Sequence, residues 1–206
     1  RVGDCVSYPV GNEYGFRQVD DALAYMVGRW LGDGWSVARD NGVEIMLCCA
    51  HNETDDVEKR IAELGISFSR EDRETVTQYR LRHHAELKQI IAQCGRGARN
   101  KQVPGEVLFW NRSARQSLLR GYTDADGYTA GPQGMTVTTA SRTLAYGIAR
   151  IVRSLGDFPA VRQVHRERVA VIQGRTVQQS DVWTLTWRSG RERTSWWVED
   201  GYYWAP

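Results

Sequence analysis

Two segments of the chain end in an aspartate followed by a glycine, and their spacing makes them a pair. MVGRWLGDG begins at Met26, and LRGYTDADG begins at Leu119, 93 positions later. Each follows an amphipathic stretch, so we predict that each ends a helix. Asp33 and Asp126 would then lie at the tips of two equivalent helices. Paired carboxylates are hard oxygen ligands of the kind that Mg²⁺ and Mn²⁺ prefer.

Small residues predict that the two helices pack closely. Residues four positions apart lie on one face of a helix. Both segments carry small residues at this spacing: Gly28 with Gly32, and Gly121 with Ala125. Packing along these faces would bring the two acidic side chains together.

Two adjacent acids need a counter-charge. At about 4 Å and an effective dielectric constant of about 20, they repel by about 4 kcal/mol. The negative ends of the helix dipoles add to this cost, and a divalent cation reverses its sign. Backbone carbonyls left unpaired at the helix ends would add further ligands. We therefore predict a metal site built from Asp33, Asp126 and the carbonyls of Gly32 and Ala125.

Two other roles are open to aspartates in such segments. An aspartate before a glycine is most often a polar helix end, and this reading stays open for Asp33 alone. A calcium loop starting at Asp124 is excluded because the segment lacks the first acid and the closing glutamate of that pattern.

Both segments resemble the motif of the LAGLIDADG homing endonucleases, and together they resemble the two-motif, single-chain form carried inside inteins. The resemblance implies an α+β fold of two pseudo-symmetric αββαββα half-domains that form a DNA-binding saddle. It implies a site-specific endonuclease that makes a staggered double-strand break across the minor groove by Mg²⁺-dependent phosphodiester hydrolysis, with Mn²⁺ able to substitute. The alternative is a catalytically inactive nucleic-acid-binding protein of the same fold, or an RNA maturase.

Lys101 lies 25 residues before Asp126 and resembles the lysine that precedes the second motif helix in intein endonucleases. Such a cation would lower the pKa of an attacking water or offset charge in the transition state. A loop lysine that touches only DNA backbone, or nothing, is an equal alternative. No lysine follows Lys101, so the basic residue of the second half is left open.

Basic residues favour DNA as the partner. The C-terminal half of the chain is the more basic one, and of the 27 basic residues only Lys59, Lys88 and Lys101 are lysines. Arginine suits phosphate and guanine edges, although a GC-rich gene would give the same bias. From strand alternation and charge, our candidates for DNA contact are Arg39, Arg80, Arg82, Arg162, Arg166, Arg168 and Arg188. Tryptophans such as Trp183 and Trp187 could stack on bases but fit a core better.

Periodicity predicts the same order of elements twice. For the first half we predict helices over 20–33, 55–64 and 84–94, with strands over 35–39, 43–50 and 75–82. For the second we predict helices over 111–126 and 141–155, with strands over 128–130, 135–140, 160–172 and 176–188. A turn at Gln173 and Gly174 joins the last two strands.

The predicted domains are a first half-domain over 15–100 and a second over 101–195. The flanking segments 1–14 and 196–206 resemble the edges of an intein splicing domain. They carry no splicing nucleophile at position 1 and no closing His-Asn pair, so we expect an endonuclease insert with stubs.

Composition predicts a soluble, cytoplasmic protein of a prokaryote, archaeon or phage. No apolar run approaches the length of about 20 residues that a membrane span needs, and no signal peptide is visible. The four cysteines have no zinc-finger spacing and are predicted to be reduced. We expect a monomer with pseudo-twofold symmetry and no obligate protein partner.

Overall fold

The computed structural model describes residues 8–9, 15–39, 42–82, 84–129, 134–165, 169–172, 175–178, 181–188, 197–199 and 202–204. The helices are α1 (Asp21–Asp33), α2 (Thr54–Glu63), α3 (Ala85–Gln93), α4 (Arg112–Asp126) and α5 (Arg142–Ser154). The strands are β1 (Tyr8–Pro9), β2 (Gly34–Arg39), β3 (Gly42–Ala50), β4 (Phe68–Asp72), β5 (Val76–Leu81), β6 (Gly127–Thr129), β7 (Gly134–Thr139), β8 (Ala160–Val164), β9 (Val169–Ile172), β10 (Arg175–Gln178), β11 (Val182–Arg188), β12 (Trp197–Glu199) and β13 (Tyr202–Trp204).

Two antiparallel four-stranded sheets have equivalent strand orders. The first sheet has the order β2-β3-β5-β4 and the second sheet has the order β6-β7-β11-β8. In each, the first strand begins immediately after a motif helix, at Gly34 after α1 and at Gly127 after α4. The fold is therefore α+β with two repeated halves, as predicted.

One face of each sheet is buried and the other is more open. In β3, Ile45 and Leu47 are buried, whereas the alternating residues Glu44 and Met46 are partly exposed. Successive side chains of a strand point to opposite faces, so this alternation identifies an inner face against the helices and an outer face.

The core is built around α1. The Asp20 side chain caps this helix by accepting hydrogen bonds from the backbone amides of Ala22 and Leu23, at 2.8 and 3.1 Å. Every residue from Ala22 to Leu31 is buried. A helix buried on all sides must pack against other elements all round, and α1 contacts α2, α3, α4 and β3.

Glycines let the backbones of α1 and α4 touch. A Cβ atom added at Gly28 would overlap the carbonyl oxygen of Leu118 and lie 2.8 Å from the amide nitrogen of Tyr122. One added at Gly121 would overlap the carbonyl oxygen of Tyr25. The predicted small-residue contact between the motif helices is thus present.

All five helices agree with the predicted ones to within one or two residues at each end. Two features of the strands and one helix differ from the prediction. The strand β4 was missed, because its sequence FSRED has little apolar alternation. The two long strands predicted over 160–172 and 176–188 are each divided in two, into β8 with β9 and β10 with β11. The third helix implied for the second half is absent from the described residues, which resume after Arg188 at the strand β12.

Within the described part of the chain, no helix has the length and apolar character needed to cross a membrane.

We predict that Gly28→Ala lowers the free energy of unfolding by about 2–3 kcal/mol, because the added methyl group meets backbone atoms that cannot rotate away. On helix propensity alone, the same change in an exposed helix would stabilise by about 1 kcal/mol. Urea unfolding followed by tryptophan fluorescence measures the difference.

Gly105→Ala is the matched control. A Cβ atom added there has no neighbour within 4 Å, so its effect should stay within about 0.5 kcal/mol. Equal stability of the Gly28→Ala variant and the unmodified protein would contradict the close helix contact.

Candidate functional site

The ends of α1 and α4 bring the two motif acids together. Gly32 lies against α4, where a Cβ atom added to it would be 3.4 Å from both Cγ and Oδ2 of Asp126. The next residue on α1 is Asp33. The two acids therefore lie at the C-terminal ends of helices that are packed side by side.

Burial raises the pKa of both acids. Burial, and next the negative charge of Asp33, raise the pKa of Asp126 to about 6. Burial is also the main cause that raises the pKa of Asp33. Neither carboxylate accepts a hydrogen bond from any residue that the structure describes. Two partly buried acids without partners form a site that favours a cation.

Lys101 is the nearest cation on one side. Only 7% of the residue is exposed, and its Nζ donates to the carbonyl oxygens of Trp30 and Gly32, at 3.1 and 2.6 Å. Burial lowers the pKa of Lys101, while Asp126 and Asp33 oppose that shift. The position is therefore buried beside both acids and is not that of a free loop lysine.

Two further contacts hold Lys101 in place. Its ammonium lies over the indole of Trp30, 5.2 Å from the ring centroid. Its carbonyl oxygen accepts a hydrogen bond of 2.6 Å from the hydroxyl of Ser141, the same hydroxyl that caps α5. Lys101, between the two halves, is thus hydrogen-bonded both to the end of α1 and to the N-cap residue of α5.

Arg29 is a second buried cation, and sequence reasoning missed it. The side chain is fully buried, and its Nη2 pairs with Oε2 of Glu53 at 2.8 Å. Its Nε and Nη1 have no hydrogen-bond partner among the described residues. Its charge lowers the pKa of Asp33 and Asp126, against the larger effect of burial. An arginine four residues before the acid, in an otherwise apolar helix, was the available signal.

The predicted metal ligands are partly used by the protein itself. The Gly32 carbonyl already accepts from Lys101, and Ala125 packs on Gly32 next to Asp126. Among the described residues, no group of three or more His, Cys, Asp or Glu could hold a metal ion. Two carboxylates and their neighbouring carbonyls still fit a hard cation such as Mg²⁺ if DNA phosphate and water complete the shell.

No second lysine faces the site. A shift of 93 positions, the spacing of the two motifs, relates Lys101 to Thr194, which lies outside the described residues. Neither the sequence nor the described residues therefore identify a counterpart of Lys101 in the second half.

The predicted DNA-contacting arginines divide between the two sheets. Arg39 and Arg80 are exposed on the outer face of the first sheet, and Arg82 follows β5. Arg162 and Arg188 are exposed on the second sheet. Arg166 and Arg168 lie outside the described residues.

The aromatic side chains serve mainly the core. Trp187 is buried, and Trp183 is partly buried against Tyr146, with ring centroids 5.7 Å apart. Cys48, Cys49 and Cys94 are free thiols. Cys5 and Trp196 lie outside the described residues.

Comparisons with known proteins agree with this architecture. Residues 113–186 match the family model described as a LAGLIDADG-like domain. Solved variants of the homing endonuclease I-DmoI superpose with a TM-score of 0.56 at 13% identity, covering 82% of this chain and 83% of theirs. The N-terminal LAGLIDADG domain of DUF199/WhiA superposes with a TM-score of 0.52 at 9% identity, covering 88% of this chain and 80% of that one.

The chain therefore has the LAGLIDADG fold, which confirms the resemblance carried by its two motifs. Other I-DmoI variants were solved in complex with their target DNA in the presence of Mg or Mn.

The chain also matches part of a much longer curated protein. The iron-sulfur cluster assembly SufBD family protein Rv1461 of Mycobacterium tuberculosis is 24% identical over 202 residues. The match covers 91% of this chain and 23% of that protein, as does the match to Mb1496 of Mycobacterium bovis. The chain thus spans about a quarter of the length of these relatives.

The raised pKa of Asp126 gives a testable pH dependence. Because this pKa is higher in the folded than in the unfolded chain, protonation of Asp126 stabilises the folded state. This stabilisation is complete below about pH 4 and is lost as the pH rises through about 6. In EDTA at pH 7.5 we expect Asp126→Asn to raise the free energy of unfolding by about 1–2 kcal/mol, after allowance for solvent screening.

Urea unfolding at pH 7.5 and pH 4 tests this expectation, and the two proteins should converge at the lower pH. Asp124→Asn is the control, since Asp124 accepts a hydrogen bond from the Tyr25 hydroxyl and its loss should not stabilise. An Asp126→Asn variant less stable than the unmodified protein at pH 7.5 would contradict the repulsion between the acids.

Proposed function

We propose that this protein is a site-specific DNA endonuclease that makes a staggered double-strand break by metal-dependent phosphodiester hydrolysis. The observation that carries the proposal is the placement of Asp33 and Asp126 at the adjacent ends of α1 and α4, beside the buried Lys101. A protein that only bound DNA would have no need to hold two repelling acids near each other.

Asp33 and Asp126 would hold the metal, with the carbonyls of Gly32 and Ala125 as further oxygen donors. Bound Mg²⁺ or Mn²⁺ would supply an activated water for attack on phosphorus and would stabilise the departing 3′ oxygen. Lys101 would place a fixed positive charge beside the attacked phosphate, because its ammonium is held by two carbonyl oxygens. Because each half supplies one acid, both DNA strands would be cut in a single binding event.

The two sheets would hold the DNA. Their outer faces expose arginines on both sides of the paired acids, and arginine binds phosphate and guanine edges. I-DmoI, which has the same fold, was solved in complex with its target DNA, and this supports DNA as the partner. We propose that the chain acts as a monomer, with its two halves in the place of two subunits.

Two observations support an origin as an intein-carried insert. Tyr8 and Pro9 in β1 pair with Tyr203 and Tyr202 in β13, so segments from the two ends of the chain lie side by side. A module of this shape can sit inside a host protein without separating the host's segments. The match to about a quarter of a SufBD family protein fits the same arrangement.

The rival function is DNA or RNA binding without cleavage. Two observations support it. Lys101 already occupies the Gly32 carbonyl. The charges of Lys101 and Arg29 also offset part of the repulsion between the acids without a metal. Cleavage assays separate the two functions.

We predict that Asp33→Asn and Asp126→Asn each reduce cleavage by roughly a thousandfold, since each removes a ligand whose metal contributes several kcal/mol to transition-state stabilisation. The substrate is a duplex that joins the gene sequences flanking the insert, incubated with Mg²⁺ and analysed for breaks. DNA binding, measured by mobility shift, should remain within a few-fold.

Asp124→Asn on the same helix is the matched control, and it should cut normally. Full activity in either acid variant would refute the site. Salt-sensitive DNA binding by the unmodified protein without any cleavage would favour the rival function.

A further inference from the structure

The outer face of the first sheet carries one acid between two arginines. Oε2 of Glu44 lies 3.0 Å from Nε of Arg39 and 3.7 Å from Nε of Arg80. Strand register explains the cluster, because Glu44 is opposite Val37 on β2 while Arg80 is opposite Met46 on β3. Diagonal neighbours on one sheet face are within reach of long side chains.

Further basic residues surround this acid. A cleft of about 220 Å³ is lined by the basic side chains of Arg80, Arg82, His84 and Lys88. Glu44 is the acidic residue among the described residues that line this cleft. This basic cluster of the first half thus has a carboxylate inside it.

The outer face of the second sheet has a different composition. Threonines of β7 and β11 pair across this sheet: the exposed Thr186 lies opposite the buried Thr136, and the partly buried Thr184 lies opposite Thr138, with their hydroxyls 3.4 Å apart. Arg162 is opposite Thr184 on the outer strand, and Arg188 ends β11. Neither arginine forms a salt bridge with a residue that the structure describes. Threonine offers base edges a hydroxyl and thymine a methyl contact.

We propose that Glu44 is a specificity residue that weakens the first half's grip on non-target DNA. It holds Arg39 and Arg80 in ion pairs and places a negative charge where phosphate would approach. The second sheet, whose arginines lack such pairs, then carries most of the salt-dependent affinity. This inference rests on the proposed DNA binding and adds that the two halves contribute unequally to the affinity for DNA.

The energetics suit such a role. Exposed ion pairs are each worth little, so a target that offers better partners can release both arginines at small cost. A specificity element of this kind works by penalising wrong partners. A carboxylate on the DNA face can also accept a hydrogen bond from the N4 amino group of cytosine, which gives it a use on the correct site.

Glu44→Gln tests the proposal with an unrelated DNA duplex as the probe. We expect the variant to bind roughly three to ten times more tightly at low salt, because two arginines become available for phosphate. The slope of log K against log salt should steepen by about 1 to 2 for the same reason.

Glu58→Gln is the matched control. Glu58 pairs with Arg70 at 2.7 Å, and its side chain is 32% exposed against 29% for Glu44. It accepts from the hydroxyl of Tyr79, which lies on the inner face of the first sheet. Its replacement removes the same charge but should change DNA affinity by no more than about twofold.

A double-mutant comparison identifies the residues involved. Replacing Arg39 and Arg80 together by alanine should cost little affinity in the unmodified protein but should cancel the gain in the Glu44→Gln protein. Replacing Arg162 and Arg188 together should weaken binding in both. Thermal unfolding of each variant separates loss of binding from loss of fold.

The outcomes distinguish this inference from the proposed function. DNA binding that Glu44→Gln leaves unchanged or weakens would overturn the inference alone. Equal gains in Glu44→Gln and Glu58→Gln would also overturn it, since net charge would then explain both. Absence of DNA binding by the unmodified protein at low salt would overturn the inference and the proposed function together.

Discussion

The rest of the structure depends on backbone contact between α1 and α4. Glycines on both helices remove the side chains that would hold them apart, so Gly28 meets the Leu118 carbonyl and Gly121 meets the Tyr25 carbonyl. This contact fixes the angle and depth at which the two halves join. Because each sheet begins immediately after a motif helix, the same contact fixes the relation of one sheet to the other. It also leaves two acids at adjacent helix ends.

Those acids are costly for the fold, and the surrounding charges show how the protein tolerates them. Burial and mutual repulsion favour protonation of Asp126, while Lys101 and Arg29 favour its ionised form. Both cations are buried and anchored, Lys101 on backbone carbonyls and Arg29 on Glu53. The compensation is incomplete, since the pKa of Asp126 remains at about 6. A site with residual negative charge, oxygen ligands and a fixed cation at its edge is suited to a metal ion and a phosphate.

Local signals in the sequence were sufficient for the frame of the fold. Asp20 as a cap, Gly34 as a stop and the small residues on one face predicted α1 and its packing. The strand β4 gave no such signal, because FSRED is mostly polar. The burial of Lys101 and the role of Arg29 depend on contacts between distant segments, which periodicity does not contain. The pairing of Glu44 with Arg39 and Arg80 required the strand register. The roles of Arg166 and Arg168 stay predictions.

The location of bound Mn²⁺ in a DNA complex tests the central claim most directly. Anomalous scattering from crystals grown with Mn²⁺ would show where the ion lies. We predict a peak coordinated by the carboxylates of Asp33 and Asp126 and by a DNA phosphate, and its loss in the Asp33→Asn variant. A peak elsewhere on the protein, or two carboxylates that turn away from each other when DNA is bound, would contradict the account.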